Sequence, residues 1–251
     1  MIEIKDFAFQ YREGTRPVVS GINLTIPDGA FVGITGAAGS GKSTLTYALN
    51  GIVPHCYPGD FYGSVVVDGL DTCETALTDL SRVVGSVCQD VDSQFVTSVV
   101  EDEVLYGLEN FAVPRDQMEG RVAQALADMG ISEVRDRVIS SLSGGQKQRL
   151  FIILALIPGP RVVFLDELTT GLDTKSRREV WKCLLEMKDK GLSICLVSHF
   201  MDEVEMLCDQ IGILRDGMFV FEGTVKEAVD NSPYSNLEDA YLWWTQEEEN
   251  R

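Results

Sequence analysis

Phe31-Val32-Gly33-Ile34-Thr35 is an apolar run suited to a buried parallel strand, and Gly36-Ala37-Ala38-Gly39-Ser40-Gly41-Lys42-Ser43 follows it at once. Lys42 to Asn50 then reads as a helix. A strand that ends in G-x-x-x-x-G-K-[ST] and opens into a helix leaves little choice of architecture. The glycines let successive backbone N–H groups turn inward as a nest for phosphate oxygens, and the helix adds the positive end of its dipole. Lys42 is placed to reach the β- and γ-phosphates of a nucleoside triphosphate as a point charge, and the Ser43 hydroxyl to ligate Mg2+. Thr44, the next residue of the helix, is counted with the loop as nucleotide-binding.

The surrounding chain supports an α/β core. Ile2, Ile4, Phe7, Phe9, Ile22, Leu24 and Ile26 alternate with polar residues, as in antiparallel strands with one wet face. Further strands are expected at Ser64–Val67, Val83–Val87, Val162–Leu165 and Ser193–Val197, with turns at Asp68-Gly69 and around Arg215-Asp216-Gly217. From Ser98 to Ile139 helical periodicity takes over, broken at Val113-Pro114, and helices are also expected at Gln146–Leu156 and Lys175–Lys188. The expectation is an α/β fold: a mostly parallel sheet in a P-loop core, an N-terminal antiparallel β subdomain and an inserted α-helical subdomain. The domain would span residues 1–230, with the helical part over 95–141 and a C-terminal helix and acidic tail over 231–251.

Composition narrows the function. With 21 Lys and Arg against 39 Asp and Glu, a formal charge of −18, the chain lacks the clustered cations that phosphate backbones require, so no nucleic-acid partner is expected. No apolar run is long enough to span a membrane, and Met1 to Asp6 shows no basic-then-apolar leader. Cys56, Cys73, Cys88, Cys183, Cys195 and Cys208 stand singly, without zinc spacing, and are read as buried thiols in a reducing compartment. His55, between Pro54 and Pro58, is read as structural.

Asp166-Glu167 sits at the carboxyl end of an apolar strand, where ligands collect in open α/β sheets. Alternation along that strand is expected to aim the two side chains differently. Leu142-Ser143-Gly144-Gly145-Gln146 stands before the helix expected from Gln146, so it supplies a second helix amino end with free donors.

With the glycine loop, this segment makes the chain resemble the ATP-binding-cassette (ABC) ATPases, and the likeness runs from Tyr11 to about Gly223 with the motifs in order. The resemblance implies ATP as substrate with Mg2+ as cofactor. It makes Asp166 and Glu167 a Walker B pair, with Asp166 in the Mg2+ shell and Glu167 the general base. It makes His199 the switch histidine, Gln89 the Q-loop glutamine sensing Mg2+ and the attacking water, and Tyr11 the aromatic that stacks on adenine. Asp173 matches the D-loop that crosses between protomers. Leu142, Ser143, Gly144, Gly145 and Gln146 would cap the ATP held by a second protomer, giving a head-to-tail dimer, with itself or with a sister ATPase.

Within the family the two halves differ. Leu49-Asn50-Gly51-Ile52-Val53-Pro54-His55, Gln89 to Gln94, Val100 to Val104 and Tyr106 to Asn110 resemble the ATPases of energy-coupling-factor (ECF) importers of vitamins and transition-metal ions. Leu168, where most of the family has proline, and the segments Ser198 to Glu205 and Asn236 to Ala240 resemble multidrug- and antibiotic-exporter ATPases. The resemblance implies that a membrane partner docks mainly on the Q-loop and the helical subdomain, which are importer-like here, so import is favoured over export. The expected setting is the cytoplasmic face of the membrane, held there by transmembrane subunits. A catalytically silent, ATP-gated binding module is disfavoured by the presence of both Glu167 and His199.

Overall fold

The computed structural model describes residues 1–87 and 95–245. β1 (Ile2–Tyr11) pairs antiparallel with β2 (Val19–Ile26) on one side and β4 (Gly59–Val67) on the other, and β4 continues into β5 (Leu70–Asp71). Ile2, Ile4, Phe7 and Phe9 are all buried, although a strict period of two would turn Phe7 away from Ile4. A register shift between Lys5 and Ala8, around Asp6 at φ 47°, inserts one residue and resets the alternation. β4 begins at Gly59, five residues before the strand expected from Ser64. Gly59, Asp60 and Gly63 disfavour strand locally, and pairing with β1 overrides them.

The second sheet has the order β10 (Met218–Gly223), β9 (Gln210–Arg215), β3 (Phe31–Gly36), β8 (Ser193–Val197), β7 (Val162–Asp166), β6 (Val84–Val87). All neighbours are parallel except β10, which returns antiparallel to β9. Its central strands are buried on both faces, and alternation along them feeds two cores. Val163 and Leu165 of β7 and Ile194 and Leu196 of β8 face one cluster; Val162, Phe164, Cys195 and Val197 face the other. The second cluster is closed by α1 (Lys42–Leu49) and the N-terminal sheet, through Leu45, Leu49, Phe7 and Phe9.

The first cluster is closed by helices. α4 (Val100–Asn110), α5 (Arg115–Asp128), α6 (Gly144–Leu156) and α7 (Thr174–Asp189) bury Val104, Leu126, Phe151 and Leu184 there. Val113-Pro114 separates α4 from α5, and Pro114 stands at the helix start where its missing N–H costs nothing. Because α6 packs on α4, α5, α7 and β6, the helices share one core with the sheet face. Short helices α2 (Ile52–His55), α3 (Leu77–Leu80), α8 (Met201–Leu207) and α9 (Val225–Asp230) fill the connections, and α10 (Leu237–Thr245) lies against α9 with Trp244 Nε1 donating to Ala228 O at 3.1 Å. No helix among the described residues is long and apolar enough to cross a membrane.

Of the described cysteines only Cys195 is fully buried; Cys73, Cys183 and Cys208 are partly buried and Cys56 is exposed. The expectation of uniformly buried thiols is therefore corrected, because Cys56 lies in the loop leaving α2 rather than in an element. Cys88 lies outside the described residues.

Candidate functional site

β3 ends at Gly36 and α1 starts at Lys42, so Ala37 to Gly41 bridge strand and helix as the sequence requires. Gly41 caps the helix at φ 104°, a left-handed conformation, and a Cβ there would lie 2.7 Å from Val19 Cγ1. Ala37, Ala38 and Gly39 are exposed at the crest, Ser40 is buried beneath them and Ser43 is exposed on the first helical turn. Lys42 Nζ curls back onto the loop, donating to the carbonyls of Gly36 at 2.8 Å and Ala37 at 2.9 Å. Burial pushes the Lys42 pKa down, and the nearby carboxylates of Glu167 and Asp166 oppose the shift. Tyr11 is brought to the same place: its hydroxyl lies 3.1 Å from Thr44 Oγ1 and its ring meets Phe9 edge to face at 4.9 Å.

Because β3, β8 and β7 are adjacent and parallel, their carboxyl ends open on one edge. This places Asp166, Glu167 and His199 beside the glycine loop. Asp166 is the last residue of β7, and burial, reinforced by the like charge of Glu167, raises its pKa against the pull of Lys42. Glu167 lies beyond the strand at φ 49°, with its N–H donating to Val197 O at 2.9 Å. Strand alternation therefore does not separate the two acids as expected; a left-handed turn does, held by a hydrogen bond to β8. That turn brings Glu167 Oε1 to 3.4 Å from His199 Nδ1. The exposed His199 ring packs against Phe200 at 4.1 Å between centroids, and Arg177 covers the other ring at 4.3 Å.

Glu203, on α8, escaped the sequence reading. It is fully buried, and its carboxylate accepts from Thr169 Oγ1 at 2.8 Å, Trp181 Nε1 at 2.8 Å and Ser198 Oγ at 2.6 Å. Nothing local distinguishes it from Asp202 or Glu205, both exposed. Only the packing of α8 over the strand tips turns Glu203 inward.

α6 begins at Gly144, two residues earlier than expected, with Ser143 as its N-cap. Gln146 N donates to Ser143 Oγ at 3.3 Å and Ser143 N to Gln146 Oε1 at 3.0 Å, a reciprocal capping box. Gly144 and Gly145 are thus first-turn residues, whose amides lack helical acceptors by geometry, and Leu142 is buried behind them. A Cβ on Gly145 would fall 2.9 Å from Ser176 Cβ, so α6 approaches the first turn of α7 closely. Asp173 caps α7, accepting from Lys175 N at 2.9 Å, Ser176 N at 3.0 Å and Ser176 Oγ at 2.7 Å, bonds that hold its carboxyl pKa low. Gln89 lies outside the described residues. His55 Nε2 lies 3.0 Å from Thr72 O, a structural contact.

The described residues hold no cluster of three or more His, Cys, Asp or Glu able to cage a metal. The hard oxygens of Ser43 and Asp166 suit Mg2+, which takes one or two protein oxygens and completes its shell with phosphate and water. An exposed glycine crest, a lysine on its rim and two carboxylates opposite can bind a triphosphate and activate a water next to it.

Residues 19–170 match the ABC transporter family. A relative named as an ABC transporter ATP-binding protein in Pyrococcus horikoshii is 40% identical over 92% of this chain and 82% of its own length. Relatives of the same description in Saccharolobus solfataricus and Streptomyces avermitilis are 36% and 39% identical, but the chain spans only 44% and 42% of their lengths. Among solved structures, cbiO1 from Clostridium perfringens, part of the ABC transporter complex cbiONQ, superposes with a TM-score of 0.82 at 33% identity, covering 90% of this chain and 89% of that one. An ATP-binding cassette solved as a dimer in a post-hydrolysis state with ADP and phosphate has the same fold, with a TM-score of 0.76 at 24% identity over 89% of this chain and 98% of that one. The family match spans the glycine loop, strand β7 and the capped helix α6, and the chain belongs to the ABC transporter family as an ATP-binding subunit.

Proposed function

We propose that this subunit binds Mg-ATP at the glycine loop, closes head-to-tail on a second ATPase protomer, and hydrolyses ATP to drive uptake of a vitamin or transition-metal ion through ECF-type membrane subunits. The observation that carries the catalytic part is the convergence of Lys42, Asp166, Glu167 and His199 on one sheet edge. Lys42 and the loop amides orient the β- and γ-phosphates, with Tyr11 against the base. Ser43 and Asp166, with Gln89, hold Mg2+, which draws charge off the phosphates when bound. Glu167 takes the proton of the attacking water, and His199 keeps Glu167 and the γ-phosphate in line. The amides of Ser143, Gly144 and Gly145, with Leu142 and Gln146 behind them, cap the partner's nucleotide, and Asp173 lies at the same boundary.

Importer coupling is supported by the similarity to cbiO1 of the cbiONQ complex, together with the ECF-like text around Gln89. An exporter ATPase is the second reading, favoured by Leu168, which is buried in the helical-side core where most of the family has proline. Co-purification separates the two: a small coupling subunit with a substrate-binding membrane protein supports import, and an exporter permease overturns it.

The catalytic assignment is tested with Glu167→Gln. A general base contributes about 10²- to 10⁴-fold, so phosphate release should fall by at least about a hundredfold while ATP binding, read by a fluorescent analogue, is retained. Normal turnover in this variant would sink the assignment.

A further inference from the structure

Glu203 is a buried carboxylate whose three donors come from three segments of the candidate site. Thr169 lies two residues beyond Glu167; Ser198 immediately precedes His199; and Trp181 belongs to α7, the helix that Asp173 caps. Ser198 Oγ also accepts from Phe200 N at 3.1 Å, so the residues on both sides of His199 are tied to the same carboxylate. Among the described residues Glu203 makes no ion pair, although it is fully buried. An isolated buried carboxylate is costly unless hydrogen bonds satisfy it, and here both oxygens are satisfied. A neutral or apolar residue would serve packing alone without that desolvation cost. What a carboxylate adds is two acceptor oxygens on one rigid group, able to fix three donors relative to one another.

From this geometry we infer that Glu203 is a positioning residue for hydrolysis: it clamps the loop carrying Glu167, the loop carrying His199 and helix α7 in one register. It touches neither nucleotide nor metal, and it acts through the 3.4 Å approach of Glu167 to His199. The inference rests on the catalytic reading of Glu167 given above. Glutamine in place of Glu203 keeps the volume but presents an NH2 group to at least one existing donor, so the clamp loses a bond and gains a repulsion. The glycine loop, which binds the triphosphate, makes none of these bonds.

The test compares steady-state ATP hydrolysis of wild type, Glu203→Gln, Trp181→Phe and a control, Leu126→Ala, whose side chain is buried in α5. Misplacing a catalytic group by about 1 Å can cost on the order of 10²-fold. The expected result for Glu203→Gln is a kcat lowered by about tenfold to a hundredfold with KM for ATP within about twofold. Trp181→Phe, which removes one donor remote from the nucleotide and leaves the carboxylate in place, should shift kcat in the same direction by a smaller factor. It carries the test by itself where Glu203→Gln does not fold. The control should lower the melting temperature without moving kcat at a temperature where it is folded. A kcat within twofold of wild type overturns the inference, as does a loss of kcat that merely follows melting temperature as in the control. Glu167→Gln distinguishes the two levels of failure. If it abolishes turnover while Glu203→Gln leaves kcat within twofold of wild type, the clamp alone is wrong; if it leaves turnover normal, the catalytic reading beneath it falls first.

Discussion

Asp166 shows what the site costs the fold at the level of a single residue. Burial and the charge of Glu167 raise its pKa above the ordinary 3.8 despite the attraction of Lys42. A carboxyl whose folded pKa is raised carries an unfavourable charge in the native state at pH values above that pKa. The penalty shrinks as pH falls through the raised pKa and vanishes below 3.8, where the group is protonated in folded and unfolded chains alike. Asp166→Asn should therefore raise the melting temperature of the nucleotide-free protein at neutral pH, and the gain should shrink as the pH is lowered toward 4. A variant less stable than wild type at neutral pH would contradict this account. Residues of this kind were readable in the chain because motif spacing names them. Glu203 was not, since its role depends on three donors that are far apart in sequence and adjacent only after folding.

Among the elements, α6 and α7 are the pair on which the dimer proposal turns. The capping box at Ser143 ends one helix cleanly, and Asp173 does the same for the other. Gly145 lets the two first turns come together. Ser143→Arg places a bulky cation where the partner's triphosphate would be capped and removes the side-chain cap. Capping losses cost about 1 kcal/mol, so the variant should fold, yet it should remain monomeric by light scattering at saturating ATP. An ATP-dependent dimer of this variant would refute the trans-capping role. The sequence located both helices but placed the start of α6 at Gln146, because Gly-Gly is a poor helix former locally. The reciprocal bonds of Ser143 and Gln146, and packing against Ser176, outweigh that propensity. The bulge in β1 belongs with it: alternation announced two strands, while the extra residue at Asp6 is fixed by pairing with β2 and β4 together.

Over the whole molecule, the parallel sheet works as a partition between two cores, with the reactive edge at the carboxyl ends of its strands. Phe164, 1% exposed, fills the face shared with α1 and the N-terminal sheet. Phe164→Ala should cost about 3–5 kcal/mol, read as a lower denaturant midpoint at an unchanged slope; a loss under about 1 kcal/mol would mean that this face is not close-packed. Since β7 also carries Asp166, the same cavity should weaken ATP binding before it unfolds the protein.

The sequence by itself determined the fold class, the P-loop strand and helix, the order of the motifs and most of the residues at the candidate site. Those are local properties: hydrophobic period, glycine placement and short spacings act within a few residues. The tertiary structure alone decided that a left-handed turn separates Asp166 from Glu167 and that Glu203 gathers donors from three segments. Each of these depends on backbone strain or buried hydrogen bonds that packing from another segment must sustain, and no local pattern of residue types encodes such a partner.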